Sequence, residues 1–313
     1  MDLRQSLWVE KYRPSTIQEC ILPSRIKQNF QDYVNKKEVP NLLLCGLAGT
    51  GKTTVARAIC DEIGLDYILI NGSDESGIDV LRTKIKLYAS SMSLSGGRKV
   101  IIIDEADYMN ANSLQPALRG AVEEFAKNCS FIFTCNYPNR IIKELHSRTA
   151  VVEFKWSKKE KPELATKFYQ KILDILNIER ISFDEKVVST LVMKYFPDFR
   201  RTLNELQRFA SSGTIDESVL ANLSDVDIKE LVQFLKEKDF QKVRQWVNGN
   251  SDNDPNRIFR RIYDSLSELL KPQSVPAAIL ILSRYSYQSA FAADTEINLL
   301  ACLVELMVDL DYK

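Results

Sequence analysis

One stretch limits what this chain can fold into more than any other. Gly46-Leu47-Ala48-Gly49-Thr50-Gly51-Lys52-Thr53 satisfies the phosphate-loop pattern GxxxxGK[ST]. Its flanks fit: Leu42-Leu43-Leu44-Cys45 is a short apolar run that reads as a buried strand, and Thr54-Val55-Ala56-Arg57-Ala58-Ile59-Cys60 has helical spacing. The glycines let the backbone curl so that successive N–H groups point at one polyphosphate, and the following helix adds its positive N-terminal end. Lys52 supplies a point charge for the β- and γ-phosphates and Thr53 a hydroxyl for Mg²⁺, with Gly49, Thr50, Gly51 and Thr54 around them. A bare glycine turn before a helix explains neither Lys52 nor Thr53. The pattern predicts a nucleoside triphosphate site.

A second run supplies acids for that site. Val100-Ile101-Ile102-Ile103 is apolar without alternation, as expected of a strand covered on both faces by helices, and it ends in Asp104-Glu105-Ala106-Asp107. Asp104 is placed to hold Mg²⁺ through water, and Glu105 to orient and deprotonate an attacking water. A third strand, Phe131 to Cys135, ends at Asn136, whose amide would project toward the γ-phosphate beside Asp104. Asn also suits turns, so this residue alone would say little.

Composition excludes several other classes. The 313 residues carry 42 basic and 42 acidic side chains, so attraction to a polyanion must come from a local patch. Cysteines 20, 45, 60, 129, 135 and 302 are scattered without a CxxC pair, and His146 is the single histidine. Buried thiols in a reducing compartment fit better than zinc ligation. No apolar run approaches the ~20 residues of a membrane span, and the first residues lack the apolar core of a signal peptide. The expectation is a cytoplasmic, intracellular protein with no membrane partner.

Trp8-Val9-Glu10-Lys11-Tyr12-Arg13-Pro14 reads as an extended segment, either an arm lying across the nucleotide base or a plain entry strand. Ser24 to Val34 reads as a helix ending near Lys36-Lys37, and Tyr67 to Ile70 as a strand. After the turn Asn71 to Gly77, Ser76 and Asp79 offer a capping box for a helix with Ile78, Leu81, Ile85 and Tyr88 on one face. Arg82 and Lys86 share another face of it, either solvated or in contact with phosphates. Ser113 to Phe125 is a further helix, with Pro116 in its first turn and Arg119 beyond. Arg148 precedes the strand Val151 to Phe154, and by position alone reads as a surface arginine. From Ser157 onward strand signals end. Helices are expected over Lys158–Leu176, Asp184–Tyr195 and Phe199–Ala210, a linker over Ser211–Ser224, and an apolar helical remainder.

These segments together resemble the AAA+ clamp-loader ATPase subunits, those of T-even-like phages and the replication factor C small subunits. Glu10-Lys11-Tyr12-Arg13-Pro14 is similar to their EKYRP box, and NGSDESGIDVLR (71–82) to NASDxRGIDxxR, with Ser76 where the family carries Arg or Lys. In the family that basic residue couples DNA binding to the catalytic glutamate. LRG (118–120) stands where the family shows LRR, and His146-Ser147-Arg148-Thr149 resembles its SRC motif, with Thr149 for Cys. Phe196 to Gln207 resembles the sensor 2 helix, GDxRRxLNxLQ.

The resemblance implies an α/β fold: a AAA+ P-loop core with parallel sheet (1–155), an α-helical lid (156–222) and an α-helical collar (223–313). It implies ATP and Mg²⁺ as ligands, with Glu105, Asn136 (sensor 1) and Arg148 (a finger into the neighbouring subunit) catalytic. Val9, Glu10, Lys11, Tyr12, Ile21 and Arg200 would join the phosphate loop around the nucleotide. Arg82, Lys86 and Arg119 would meet primer–template DNA, and Met92 and Leu94 a sliding clamp. The implied assembly is four copies with one different small subunit, whose ATP hydrolysis DNA and clamp stimulate. A AAA+ helicase or branch-migration motor is the alternative. A non-catalytic scaffold fits less well, since Lys52, Asp104, Glu105 and Arg148 are all present.

Overall fold

A computed structural model describes residues 7–74, 77–93, 97–211, 213–216, 228–250, 255–289, 291–292 and 294–313. It divides into two units, Met1–Leu220 and Ala221–Lys313.

The apolar runs of the first unit become five parallel strands. These are β1 (Leu42–Gly46), β2 (Tyr67–Asn71), β3 (Lys99–Asp104), β4 (Cys129–Cys135) and β5 (Ala150–Phe154), in the spatial order β2-β3-β4-β1-β5. Helices α2 (Ser24–Lys36) and α3 (Lys52–Ile63) pack on one face, α4 (Ile78–Ser90) and α5 (Leu114–Glu124) on the other. Because side chains alternate along a strand, each run serves both layers. Leu42, Leu44, Val100, Ile102 and Ile132 join α2 and α3, whereas Leu43, Ile101, Ile103, Phe131 and Phe133 join α4 and α5. Burial on both faces is what the unbroken apolar pattern of β3 requires. The register pairs Cys45 with Cys135 and Asn71 with Asp104, so the loops after β1, β3 and β4 leave the sheet at the same edge. All six cysteines are buried and none forms a disulfide.

The structure corrects the expected extended arm: Trp8–Lys11 is a helical turn, α1. Pro14 disfavours the helical region only for Arg13, leaving residues 8–11 free to coil. Trp8 is buried, and its backbone N–H donates to Gln207 Oε1 at 2.9 Å. Helix α4 begins after Gly77, with Asp79 in its first turn. Ser76, the other half of the expected capping box, lies outside the described residues. In α5, Pro116 falls in the first turn, where a missing N–H costs little.

After the short α6 (Lys143–His146) and β5 come α7 (Glu160–Ile178), α8 (Glu185–Tyr195) and α9 (Phe199–Ala210). Asp184 and Asp198 cap α8 and α9, accepting from Lys186 N at 2.7 Å and Arg201 N at 2.9 Å. Strands do not end at Ser157, as expected: β6 (Ser182–Phe183) and β7 (Thr214–Ile215) pair in parallel, and β7 lies within the expected linker. Two residues are too few to show a period of two.

In the second unit, α10 (Ile228–Lys236), α11 (Phe240–Gly249), α12 (Pro255–Leu269), α13 (Val275–Ser289) and α14 (Thr295–Asp309) enclose their own core of Leu231, Val243, Ile258, Ala278 and Leu303. Leu280 and Tyr287 stand out from it, exposed. No helix among the described residues is long and apolar enough to cross a membrane.

Candidate active site

The loops leaving β1, β3 and β4 open onto one cavity, beside the N-terminal end of α3 and beneath α7 and α9. Gly49, Thr50, Gly51, Lys52, Thr53, Thr54, Asp104, Glu105 and Asn136 line its polar end. Lys52 is buried, and its Nζ donates to Gly46 O at 2.7 Å, Leu47 O at 2.8 Å and Asn136 Oδ1 at 2.8 Å. The ammonium thereby joins the phosphate loop to the end of β4, while burial holds it below the ordinary lysine value. Thr53 Oγ1 donates to Asp104 Oδ1 at 2.7 Å, a pair of hard oxygen ligands suited to Mg²⁺.

Three residues that sequence reasoning passed over hold this geometry. Thr134 Oγ1 donates to Asp104 Oδ1 at 2.5 Å and accepts from Glu105 N at 3.1 Å, so one hydroxyl sets both acids. Its signal was a polar residue inside an apolar strand run. Asp107 is buried and its Oδ2 accepts from Asn136 N and Tyr137 N, both at 3.0 Å, fixing the loop that carries Asn136. Gln115, also buried, ties the Met109 and Arg140 carbonyls and the Ile142 N–H together behind that loop.

Glycine is required where the lid meets the phosphate loop. Gly49 has φ +73°, and a Cβ there would fall 1.8 Å from Asp198 Oδ1. Phe199 N donates to Gly49 O at 3.0 Å, so the start of α9 rests directly on the loop. Arg200 lines the cavity, whereas the Arg201 guanidinium lies 4.6 Å from the Tyr195 ring centroid.

The other end of the cavity is mainly apolar: Val9, Tyr12 and Ile21 come from the N-terminal segments, and Phe168, Ile175 and Leu203 from α7 and α9, with Arg13 and Lys171 the cations from those same segments. Phe168, Ile175 and Leu203 were not foreseen, because helical periodicity marks a buried face without naming what it covers. Glu10 and Lys11, expected beside the nucleotide, are absent from the lining. On a helical turn they point away from the face shared by Val9, Tyr12 and Arg13. Glu10 pairs instead with Arg13, whose hydrogen bond holds its carboxyl below the usual range; Lys11 pairs with Glu179.

Arg148 lies outside this cavity. Its Nε donates to Glu123 Oε1 at 2.8 Å and its NH1 to Glu144 O at 2.8 Å. Arg82 and Lys86 are exposed on α4, and Arg119 is exposed on α5, which packs beside α4. Met92 is 93% exposed just past the end of α4, and Leu94 lies outside the described residues.

Comparison with known proteins agrees with this layout. Residues 42–155 match the model of the ATPase family associated with various cellular activities (AAA). Residues 166–221 match that of the sliding-clamp-loader large subunit, AAA+ ATPase lid domain. The chain is 34% identical to the sliding-clamp-loader large subunit of Enterobacteria phage T4, covering 99% of this chain and 98% of that protein. It is 35% identical to the replication factor C small subunit of Archaeoglobus fulgidus over 77% of each. Among solved structures, the Thermotoga maritima RuvB Holliday junction branch migration motor superposes with a TM-score of 0.53 at 16% identity, covering 72% of this chain and 78% of that one. A likeness at that identity speaks to the fold alone.

Proposed function

The chain belongs to the sliding-clamp-loader family of AAA ATPases, and from that premise we propose that it uses ATP to open a sliding clamp and load it onto primer–template DNA. The observation that carries the reading is the convergence of Lys52, Thr53, Asp104, Glu105 and Asn136 on one cavity that Arg200 of the lid also lines. Similarity over nearly the whole length of a clamp-loader large subunit supports it. The chain then comprises a nucleotide-binding core (1–155), a lid (156–222) and a collar (223–313), in a ring of four copies and one different small subunit.

In this reading the phosphate-loop amides and Lys52 grip the triphosphate, and the apolar end takes the base. Thr53 and Asp104 would hold Mg²⁺, which when bound offsets phosphate charge. Glu105 takes a proton from the attacking water, and Asn136 orients that water. Arg148, outside its own subunit's cavity, serves a neighbour's γ-phosphate. Arg82, Lys86 and Arg119 track the DNA backbone without reading bases, as loading at any primer end requires. Met92 and Leu94 meet the clamp.

The test is ATP turnover by the purified protein, with its small subunit, alone and then with primer–template DNA and clamp. Stimulation by the two together is expected. Turnover indifferent to the clamp, accompanied by strand displacement or branch migration, would favour a motor instead.

A further inference from the structure

We propose that Glu179 is a positioning residue for nucleotide recognition, holding Tyr12 against the apolar end of the cavity so that affinity for the base depends on it. The inference deepens the reading of the cavity as an ATP site and rests on it. Tyr12 lines the cavity, and its hydroxyl donates to Glu179 Oε1 at 2.6 Å. The same oxygen accepts from Lys11 Nζ at 2.7 Å, and that ammonium lies 5.2 Å from the Tyr12 ring centroid. One carboxylate oxygen therefore anchors two consecutive residues of the α1 segment to the end of α7.

Helix stability gives no reason for this residue. Glu179 is the C-cap of α7, the negative end of the helix dipole, where an acid is unfavourable and a cation preferred. Nor does the ion pair offer much by itself: the Lys11 side chain is 45% exposed, and exposed pairs contribute little. What the carboxylate does provide is direction. It gives the Tyr12 hydroxyl a fixed acceptor that holds the side chain in the cavity wall, and Lys11 supplies the charge that makes a carboxylate acceptable there. Hydrogen bonds from Lys11 and Tyr12 hold Glu179 below the usual carboxylate range. Glu179 N donates to Ile175 O at 2.9 Å, and Ile175 lines the cavity on the same helix as Phe168. The contact thus couples the two walls of the apolar end, one from the N-terminus and one from the lid.

Binding of ATP and of inorganic tripolyphosphate to the full chain, both with Mg²⁺ and by calorimetry, tests this. Glu179→Ala is expected to weaken ATP binding by roughly tenfold, the scale of one lost hydrogen bond to a charged group, and to leave tripolyphosphate within twofold. Glu179→Gln keeps an acceptor for the Tyr12 hydroxyl and should regain most of the loss. Tyr12→Phe should match Glu179→Ala, and the double variant should be no worse than either alone. In turnover the effect should fall on KM, with kcat unchanged. Wild-type ATP affinity in Glu179→Ala would overturn the proposal, as would equal losses for ATP and tripolyphosphate or no rescue by Gln. If the unmodified chain binds neither ligand, the nucleotide reading itself fails, and the proposal with it.

Discussion

The two ends of the nucleotide cavity are built in opposite ways. At the phosphate end, Gly46 to Thr53 is one unbroken stretch, and Asp104, Glu105 and Asn136 each stand at the carboxyl edge of the sheet. At the apolar end, Tyr12 is fixed by a residue 167 positions away, and its neighbours come from α7 and α9. A phosphate is gripped by backbone geometry, which a short segment can encode by itself. A base is gripped by apolar area, which exists only once distant segments have packed. The phosphate end should therefore fail through single residues, and the apolar end through the contacts between segments.

The largest effect expected lies outside both ends. Arg148→Ala should leave each subunit binding ATP normally while turnover of the assembly falls by ~10³-fold, the low end for a missing arginine finger. Mixing it with Lys52→Ala subunits should restore part of the activity, because an interface can then combine an intact Lys52 with an intact Arg148. No recovery in rings shown to be mixed would mean that Arg148 acts within its own subunit or only through its pair with Glu123.

Next in size, Lys52→Ala removes a buried ammonium. It should weaken ATP and tripolyphosphate alike by about 100-fold, the upper scale for charge-assisted hydrogen bonds. That equality is the counterpart of the selective loss expected at Glu179. If Lys52→Ala weakened ATP but not tripolyphosphate, the two ends would have been assigned in reverse.

The contrast also explains what could be read from the chain alone. The sheet was legible because Leu42–Cys45, Val100–Ile103 and Phe131–Cys135 are apolar runs between turn residues. Helix α9 was legible to its last residue, the expected span Phe199–Ala210 being the one observed. Lys52, Thr53, Asp104 and Glu105 sit in motifs whose chemistry needs those residue types at those spacings. The α1 turn is not legible in the sequence because Pro14 constrains only Arg13, and because Trp8 finds its partner on α9. Thr134 and Asp107 act through hydrogen bonds to residues on other segments, a relation that spacing does not carry. Glu179 belongs with them: at the end of α7 it reads as one more surface acid.

The smallest effect concerns the exposed cations. With zero formal charge on the whole chain, DNA affinity has to come from a patch. Arg82→Ala combined with Arg119→Ala should weaken binding across all sequences and lower the salt slope by roughly one to two units, with ATP affinity untouched. An unchanged slope would move the DNA surface away from α4 and α5.

The most direct test of the central claim, that this cavity both binds ATP and cleaves it with its own Glu105, is a side-by-side measurement on Glu105→Gln. ATP affinity and steady-state turnover should be read from the same preparation. The account predicts affinity close to that of the unmodified protein and turnover at least ~100-fold lower, the usual scale for a missing general base. Turnover near the unmodified rate would contradict it, because the water would then be activated by another group and Glu105 would be only one more acid at the end of β3.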